Sequence, residues 1–308
     1  MSLLFTGKRV LVTGGNGFLG SRIVSILQKK GVSDLIIPDS KLDDLRLKEN
    51  CSKVTKNIDI VFHTAAKVGG IGLNQEKPGE LFYDNLMMGV NLLEESRKNN
   101  VEKFISLGTI CSYPKFTPLP FKEDDIWSGY PEETNAPYGL AKKMLLVQSN
   151  AYKEQYGFRS ITVFPTNLYG PGDNFDDSSS HVIPALIKKI NNAIKSNQDS
   201  IVLWGDGTPT RDFLFVDDAA KGIVLAAEKY EKTEPLNLGS GEEISIHDLA
   251  QLIMKIMGVN LKIKWDTTKP NGQPRRCISS ERAKNEIGFV AETSLELGLK
   301  QTIEWYLN

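Results

Sequence analysis

A short β-branched run, Lys8 to Val12, passes directly into Thr13-Gly14-Gly15-Asn16-Gly17-Phe18-Leu19-Gly20, after which Ile23, Val24, Ile26 and Leu27 recur at helical spacing. The reading is strand, glycine turn, helix. Further apolar runs follow at Leu35 to Ile37, Ile58 to His63, Phe104 to Leu107 and Ser160 to Phe164, and the helical stretches Leu86 to Arg97 and Tyr138 to Tyr156 fall among them. Strands alternating with helices predict a parallel sheet covered on both faces, a doubly wound α/β fold of Rossmann type. Beyond Asn174 the alternation weakens: Ser178 to Asn197 predicts a helix, Ile201 to Trp204 a short strand and Ile246 to Met257 an amphipathic helix. We therefore expect residues 1–172 and 213–239 to form a dinucleotide-binding domain. Residues 173–212 and 240–308 are expected to form a smaller α/β substrate domain, with function in the shared cleft.

Charge and composition narrow the partners. The 37 basic and 38 acidic side chains leave a net charge of −1. No global field then favours nucleic acid or a membrane surface, and any phosphate must be held locally. Cys51, Cys111 and Cys277 are too few and too scattered for a disulfide framework, and no paired metal-ligand spacing occurs, so a reducing compartment and no metal are expected. There is no basic segment leading into an apolar one at the N-terminus and no run of about 18 apolar residues. The expectation is a soluble, cytoplasmic protein.

Two motifs carry chemistry. Gly14, Gly17 and Gly20 give the spacing that lets a chain turn tightly, approach a pyrophosphate and pack the next helix closely, with Asn16, Phe18 and Leu19 between them. The helix N-terminus then faces the anion. Asp39 ends the second strand, where an acid takes ribose hydroxyls and repels a 2′-phosphate, which argues for NAD(H). Ser40 and Lys41 follow at once, and a hydroxyl beside a cation suits that phosphate and argues for NADP(H). The second motif is Tyr138-Gly139-Leu140-Ala141-Lys142, which stacks a phenol and an ammonium on one helix face. A reductase needs a proton donor at the carbonyl oxygen, and a nearby lysine is expected to lower the phenol pKa.

Glycine loop and Tyr138/Lys142 together resemble the extended short-chain dehydrogenases/reductases. Longer segments are similar to the GDP-L-fucose synthase family: Ala65-Ala66-Lys67-Val68-Gly69-Gly70-Ile71, Leu107-Gly108-Thr109-Ile110-Cys111-Ser112-Tyr113-Pro114-Lys115, Pro165 to Pro171, Asp173-Asn174-Phe175, His181 to Leu186, Trp204-Gly205 with Arg211, and Asp266 to Pro270. The resemblance spans essentially the whole chain and implies a role for each matching position. Tyr138 donates the proton in reduction, Lys142 holds the nicotinamide ribose, and Thr109, where the family usually has serine, meets the sugar ketone. Cys111 and His181 serve as base and acid of epimerisation. Leu107, Gly108, Pro165, Asn167, Leu168 and His181 line the cofactor. Lys189, Trp204 and Arg211 face the substrate nucleotide, and Asn271 stands where the family has an aspartate. A GDP-sugar substrate, a homodimer with a four-helix seam, and NADP(H) ahead of NAD(H) are likewise implied.

The implied reaction is epimerisation at C3 and C5 of a 4-keto sugar followed by reduction at C4. A GDP-4-keto sugar C4 reductase acting on a 6-deoxyhexose or heptose without epimerase activity is the alternative, and Cys111 and His181 argue against it. A 4,6-dehydratase wants an acid near Thr109, which is missing. A cofactor-sensing binding protein has little use for Tyr138 and Lys142. His63 and His247 read as structural, while Lys188-Lys189 and Arg275-Arg276 form a basic cluster for which a diphosphate gives a use.

Overall fold

The computed structural model describes residues 5–177, 179–269 and 271–308. Its strands are β1 (Arg9–Thr13), β2 (Asp34–Ile36), β3 (Ile60–His63), β4 (Lys103–Leu107), β5 (Ser160–Pro165), β6 (Asn167–Tyr169), β7 (Ser200–Trp204), β8 (Thr210–Phe215), β9 (Leu236–Leu238), β10 (Glu243–Ser245), β11 (Lys262–Asp266) and β12 (Arg275–Arg276). The helices are α1 (Phe18–Lys29), α2 (Lys48–Val54), α3 (Ile71–Glu76), α4 (Pro78–Lys98), α5 (Ala136–Tyr156), α6 (Val182–Lys195), α7 (Val216–Lys229), α8 (Ile246–Ile256), α9 (Glu281–Ile287) and α10 (Leu295–Leu307).

Six parallel strands make the main sheet in the order β2-β1-β3-β4-β5-β9. Strand order reverses at β1, so a crevice opens beyond the carboxyl ends of β1 and β3. Alternation along the strands divides the core. Val10, Val12, Ile60, Phe62, Ile105 and Val163 pack with Ile23 and Leu27 of α1 and Ala219, Ile223 and Ala227 of α7, while Leu11, Val61 and Phe104 meet Leu92 and Leu93 of α4 on the other face. Each such side chain contributes roughly 1.5–3 kcal/mol on burial. That packing holds α1, since Gly17 offers it no side-chain cap.

At Thr166 the chain changes sheets. Thr166 N donates to Leu238 O of β9 at 2.9 Å and its hydroxyl donates to Asp212 O of β8 at 3.1 Å. Strand β6 then joins β8, which also pairs with β10 and β12, and β7 pairs with β11. Helices α6, α8 and α10 cover these smaller sheets through Ile187, Ile190, Leu203, Phe213, Ile253 and Ile303. Helix α9, although late in the chain, packs Ala283 and Ile287 into the main-sheet core.

The expected helix from Ser178 begins instead at Val182. Asn174 Nδ2 donates to Ser179 Oγ and Asp176 N donates to Asn174 Oδ1, so side chains compete with helical backbone bonds before His181. Ser178 itself, and Pro270 of the Asp266 to Pro270 segment, lie outside the described residues. Among the described residues no helix is long and apolar enough to cross a membrane.

A Cβ on Gly20 would sit 2.1 Å from Gly14 O, so α1 docks only without a side chain there. Gly20→Ala should lower stability by about 1–3 kcal/mol through overpacking, read as a fall in the urea midpoint. An unchanged midpoint would contradict this docking.

Candidate active site

The crevice is built from glycine. Gly14 has φ +69°, and a Cβ there would meet Ala65 N at 2.9 Å, so β1 turns against the loop after β3. Asn16 and Gly17 form the exposed tip, and the first-turn amides of α1, including Phe18, Leu19 and Gly20, look outward from an uncapped helix end. Across the crevice Leu107 ends β4 and Gly108 follows it, so close to Phe164 that a Cβ would lie 2.4 Å from its ring. Pro165, Asn167 and Leu168 flank the sheet change, where Asn167 Nδ2 donates to Asp212 O at 2.9 Å. Asp39, Ser40 and Lys41 form an exposed turn after β2, and Asp39 Oδ1 accepts Lys41 N at 2.8 Å.

Lys142, on α5, is close enough to His63 at the end of β3 to add to the effect of burial in lowering the pKa of that imidazole. It is only 2% exposed, and among the described residues it has no hydrogen-bond acceptor. Burial pushes its ammonium down to about 8. A buried cation without an acceptor, together with a glycine turn and an open helix end after β1, fits the ribose hydroxyls and pyrophosphate of a nicotinamide dinucleotide.

The groups expected to react stand on α5 and the turn after β4. Pro137 in the first turn suits the start of α5, which brings Tyr138 inward. Gly139 allows close approach: a Cβ there would meet Cys111 O at 2.2 Å, and Ser112 Oγ donates to Gly139 O at 2.8 Å. The Thr109 hydroxyl accepts Cys111 N at 3.3 Å and is hydrogen-bonded to the Tyr138 phenol. Burial raises the Tyr138 pKa, the Cys111 charge adds to this, and Thr109 opposes it. The expected lowering by Lys142 is absent: the group that lowers the phenol pKa is Thr109. Tyr138 is therefore a protonated donor at neutral pH.

Loop contacts bring in the other members. Gly70 N donates to Ser179 O at 3.1 Å, and a Cβ on Gly70 would lie 2.6 Å from Ser180 O, which seats His181 at the start of α6. His181 is exposed, yet surrounding protein lowers its pKa through desolvation. Any imidazolium formed there gives up its proton readily. Gly272 lies against Ile71 and the Arg211 guanidinium. Arg211 is pushed down to about 9 by burial and by the charge of Arg276, and remains cationic at neutral pH.

Thr109, Cys111, Tyr138 and Arg211 thus share one neighbourhood, with Arg276 Nη1 3.5 Å from Cys111 Sγ. Lys189 and Trp204 form a separate rim group, the ammonium 6.0 Å from the indole centroid. They border a groove of about 850 Å³. Asn271 is committed to a turn: its Oδ1 accepts Asp206 N at 2.9 Å. The basic cluster divides, since exposed Arg275 pairs with Glu243 and buried Arg276 turns to Cys111. Strand alternation is the signal that separates them. His63 is buried and bonded to Thr13 Oγ1 at 2.9 Å, whereas His247 is exposed beside Asp248. The sequence reading missed Gly139 as a spacer and Gln273, which holds Arg276.

Comparison with known proteins decides the family. Residues 10–239 match the NAD dependent epimerase/dehydratase family. The GDP-L-fucose synthase of Sinorhizobium fredii is 41% identical over 307 residues, covering 99% of this chain and 97% of that protein. The chain belongs to this family, in its GDP-L-fucose synthase branch. Two solved structures are similar to this epimerase/dehydratase family member. A GDP-L-fucose synthetase from Naegleria fowleri bound to NADP is 30% identical, with a TM-score of 0.87 and coverage of 98% of this chain and 94% of that one. A GDP-6-OMe-4-keto-L-xylo-heptose reductase from C. jejuni is 25% identical, with a TM-score of 0.91 and 98% coverage of both chains.

Lys142 gives a pH test. Its folded pKa, about 8, lies below the ordinary lysine value of 10.5, so burial of the charge costs stability below pH 8. As pH rises from 8 to 10.5 the unfolded state binds more protons and that cost vanishes. Lys142→Met without dinucleotide should be more stable than the parent by up to about 3 kcal/mol at pH 7, at about 1.4 kcal/mol per pKa unit. The gap should close by pH 10.5, as read by denaturation at several pH values. A gap independent of pH would contradict the buried ammonium.

Proposed function

We propose that this protein epimerises GDP-4-keto-6-deoxy-D-mannose at C3 and C5 and then reduces C4, giving GDP-L-fucose. One observation carries the reading: the half-exposed Cys111 thiol and the protonated Tyr138 phenol converge on one cleft through Thr109 and Gly139. Cys51 and Cys277 are buried, their thiols pushed up to about 12, so Cys111 is the thiol suited to proton abstraction.

The protons on C3 and C5 are acidic because both carbons flank the ketone. Cys111 removes one, the electron pair passes to the ketone oxygen, and Thr109 with Tyr138 hydrogen-bonds that oxygen. His181 returns a proton to the opposite face, inverting the carbon. After both inversions the same ketone is reduced, with Tyr138 giving its proton to the oxygen. Reduced nicotinamide, when bound, supplies the hydride. Lys142 would hold its ribose, and the α1 amides with Gly14 and Gly17 its pyrophosphate. Arg211, Lys189 and Trp204 would receive the GDP part.

NADPH is the proposed cofactor. The Asp39 carboxylate is drawn into its own turn by Lys41 N, which leaves Ser40 and Lys41 exposed for a 2′-phosphate. The similar Naegleria structure has NADP bound. We assign the cofactor to residues 1–172 and 213–239 and the sugar nucleotide to residues 173–212 and 240–308, apart from α9, which packs on the main sheet. A two-fold dimer through α4 and α5 would cover the exposed Phe82, Tyr83, Val147 and Tyr156. A cytoplasmic location suits three free cysteines.

Turnover of GDP-4-keto-6-deoxy-D-mannose with NADPH tests the assignment. Tyr138→Phe should lower kcat by roughly 10²–10⁴-fold while the NADPH Kd stays unchanged. Parent-like turnover would remove Tyr138 from the mechanism, and tighter binding of NADH than NADPH by the parent would show that Asp39 governs the choice.

A further inference from the structure

Arg276 occupies a position that diphosphate binding does not account for. It is 7% exposed, its Nε donates to Gln273 Oε1 at 2.7 Å, and its Nη1 approaches Cys111 Sγ at 3.5 Å. Gln273 is itself buried, and its Nε2 donates to Lys115 O at 3.0 Å. Lys115 follows the turn that carries Cys111, so the contacts close a ring from the thiol through Lys115 and Gln273 back to the guanidinium. Rotation of Arg276 away from the sulfur would break the bond to Gln273.

Charge gives a second argument. The β8–β12 register sets Arg276 beside Arg211, and among the described residues neither forms a salt bridge. Two neighbouring guanidinium groups with little access to water favour an anion between them. The nearby carboxylates are otherwise engaged. Glu132 faces both arginines but accepts bonds from Thr134 and Asn135, and Glu243 is held by Arg275 and Thr210. Tyr138, which also faces Cys111, remains protonated. Cys111 is the group in contact with Arg276 that can take up negative charge.

We propose that Arg276 is a positioning residue that holds Cys111 as the thiolate, the form able to take a proton from the carbon beside the ketone. The proposal rests on the reading of Cys111 as the base and adds the source of its activation. In that step an S–H bond forms as the C–H bond breaks, and the carbon electron pair moves to the ketone oxygen. Arg276 transfers nothing.

Alkylation by iodoacetamide measures the thiolate without any sugar turnover. The pKa values of about 12 at Cys51 and Cys277 make reaction near neutral pH report Cys111. Arg276→Met should raise the pH midpoint of alkylation and slow it about ten-fold at pH 7, since an adjacent opposite charge is worth about 1–3 pKa units. Arg276→Lys should restore much of the rate. Gln273→Leu, which leaves Arg276 in place but untethered, should give an intermediate midpoint. NADPH binding by each variant checks the fold. An unchanged midpoint in a folded Arg276→Met would overturn the proposal, and so would an unchanged midpoint with a raised substrate KM, which would make Arg276 a diphosphate ligand. If the midpoint shifts but the parent exchanges no sugar protons, the pairing stands and the base reading fails.

Discussion

The close approach of Gly139 to the Cys111 carbonyl is the contact on which the site depends. Tyr138 belongs to a long helix and Cys111 to a short 3₁₀ turn after β4, and only a residue without Cβ lets the two meet. The Ser112 hydroxyl then ties the turn to the helix, and Thr109 bonds to both the Cys111 amide and the Tyr138 phenol. In the proposed reaction, proton removal at carbon and proton delivery to oxygen would thereby be set against the same ketone. One carbonyl could then serve two kinds of chemistry because one backbone contact fixes both groups.

A second constraint joins the main sheet to the smaller ones. Thr166 bonds β9 through its amide and β8 through its hydroxyl, so the strands that present the cofactor crevice are fixed to those that present Arg211 and Arg276. Gly70 lets the loop after β3 reach Ser179 and Ser180, which precede His181 at the start of α6. Function arises at the seam between sheets.

How far the sequence revealed this depended on the range of each interaction. The glycine loop and the Tyr138/Lys142 pair are local, with a strand, a turn or one helix face carrying all of their geometry, and so they are legible. The Cys111–Arg276 contact joins residues 165 positions apart through a strand of only two residues, which leaves no periodic trace. The same holds for Gly139, whose need for close approach becomes visible only once the turn is placed. Lys142 was expected to lower the Tyr138 pKa, but burial and the Cys111 charge raise it and the group that opposes them is Thr109. Asp39 read as a ribose ligand, and in the structure its carboxylate accepts Lys41 N within its own turn.

The central claim is that one site first exchanges protons beside the ketone and then reduces it. It is tested most directly by following deuterium into C3 and C5 in deuterated water, for the parent and for Cys111→Ser. The account predicts label at both carbons with the parent. With Cys111→Ser, labelling should collapse while reduction continues, because a hydroxyl is a far weaker base than a thiol of ordinary pKa about 8.5. A parent protein that reduces the sugar with no label at either carbon would contradict it.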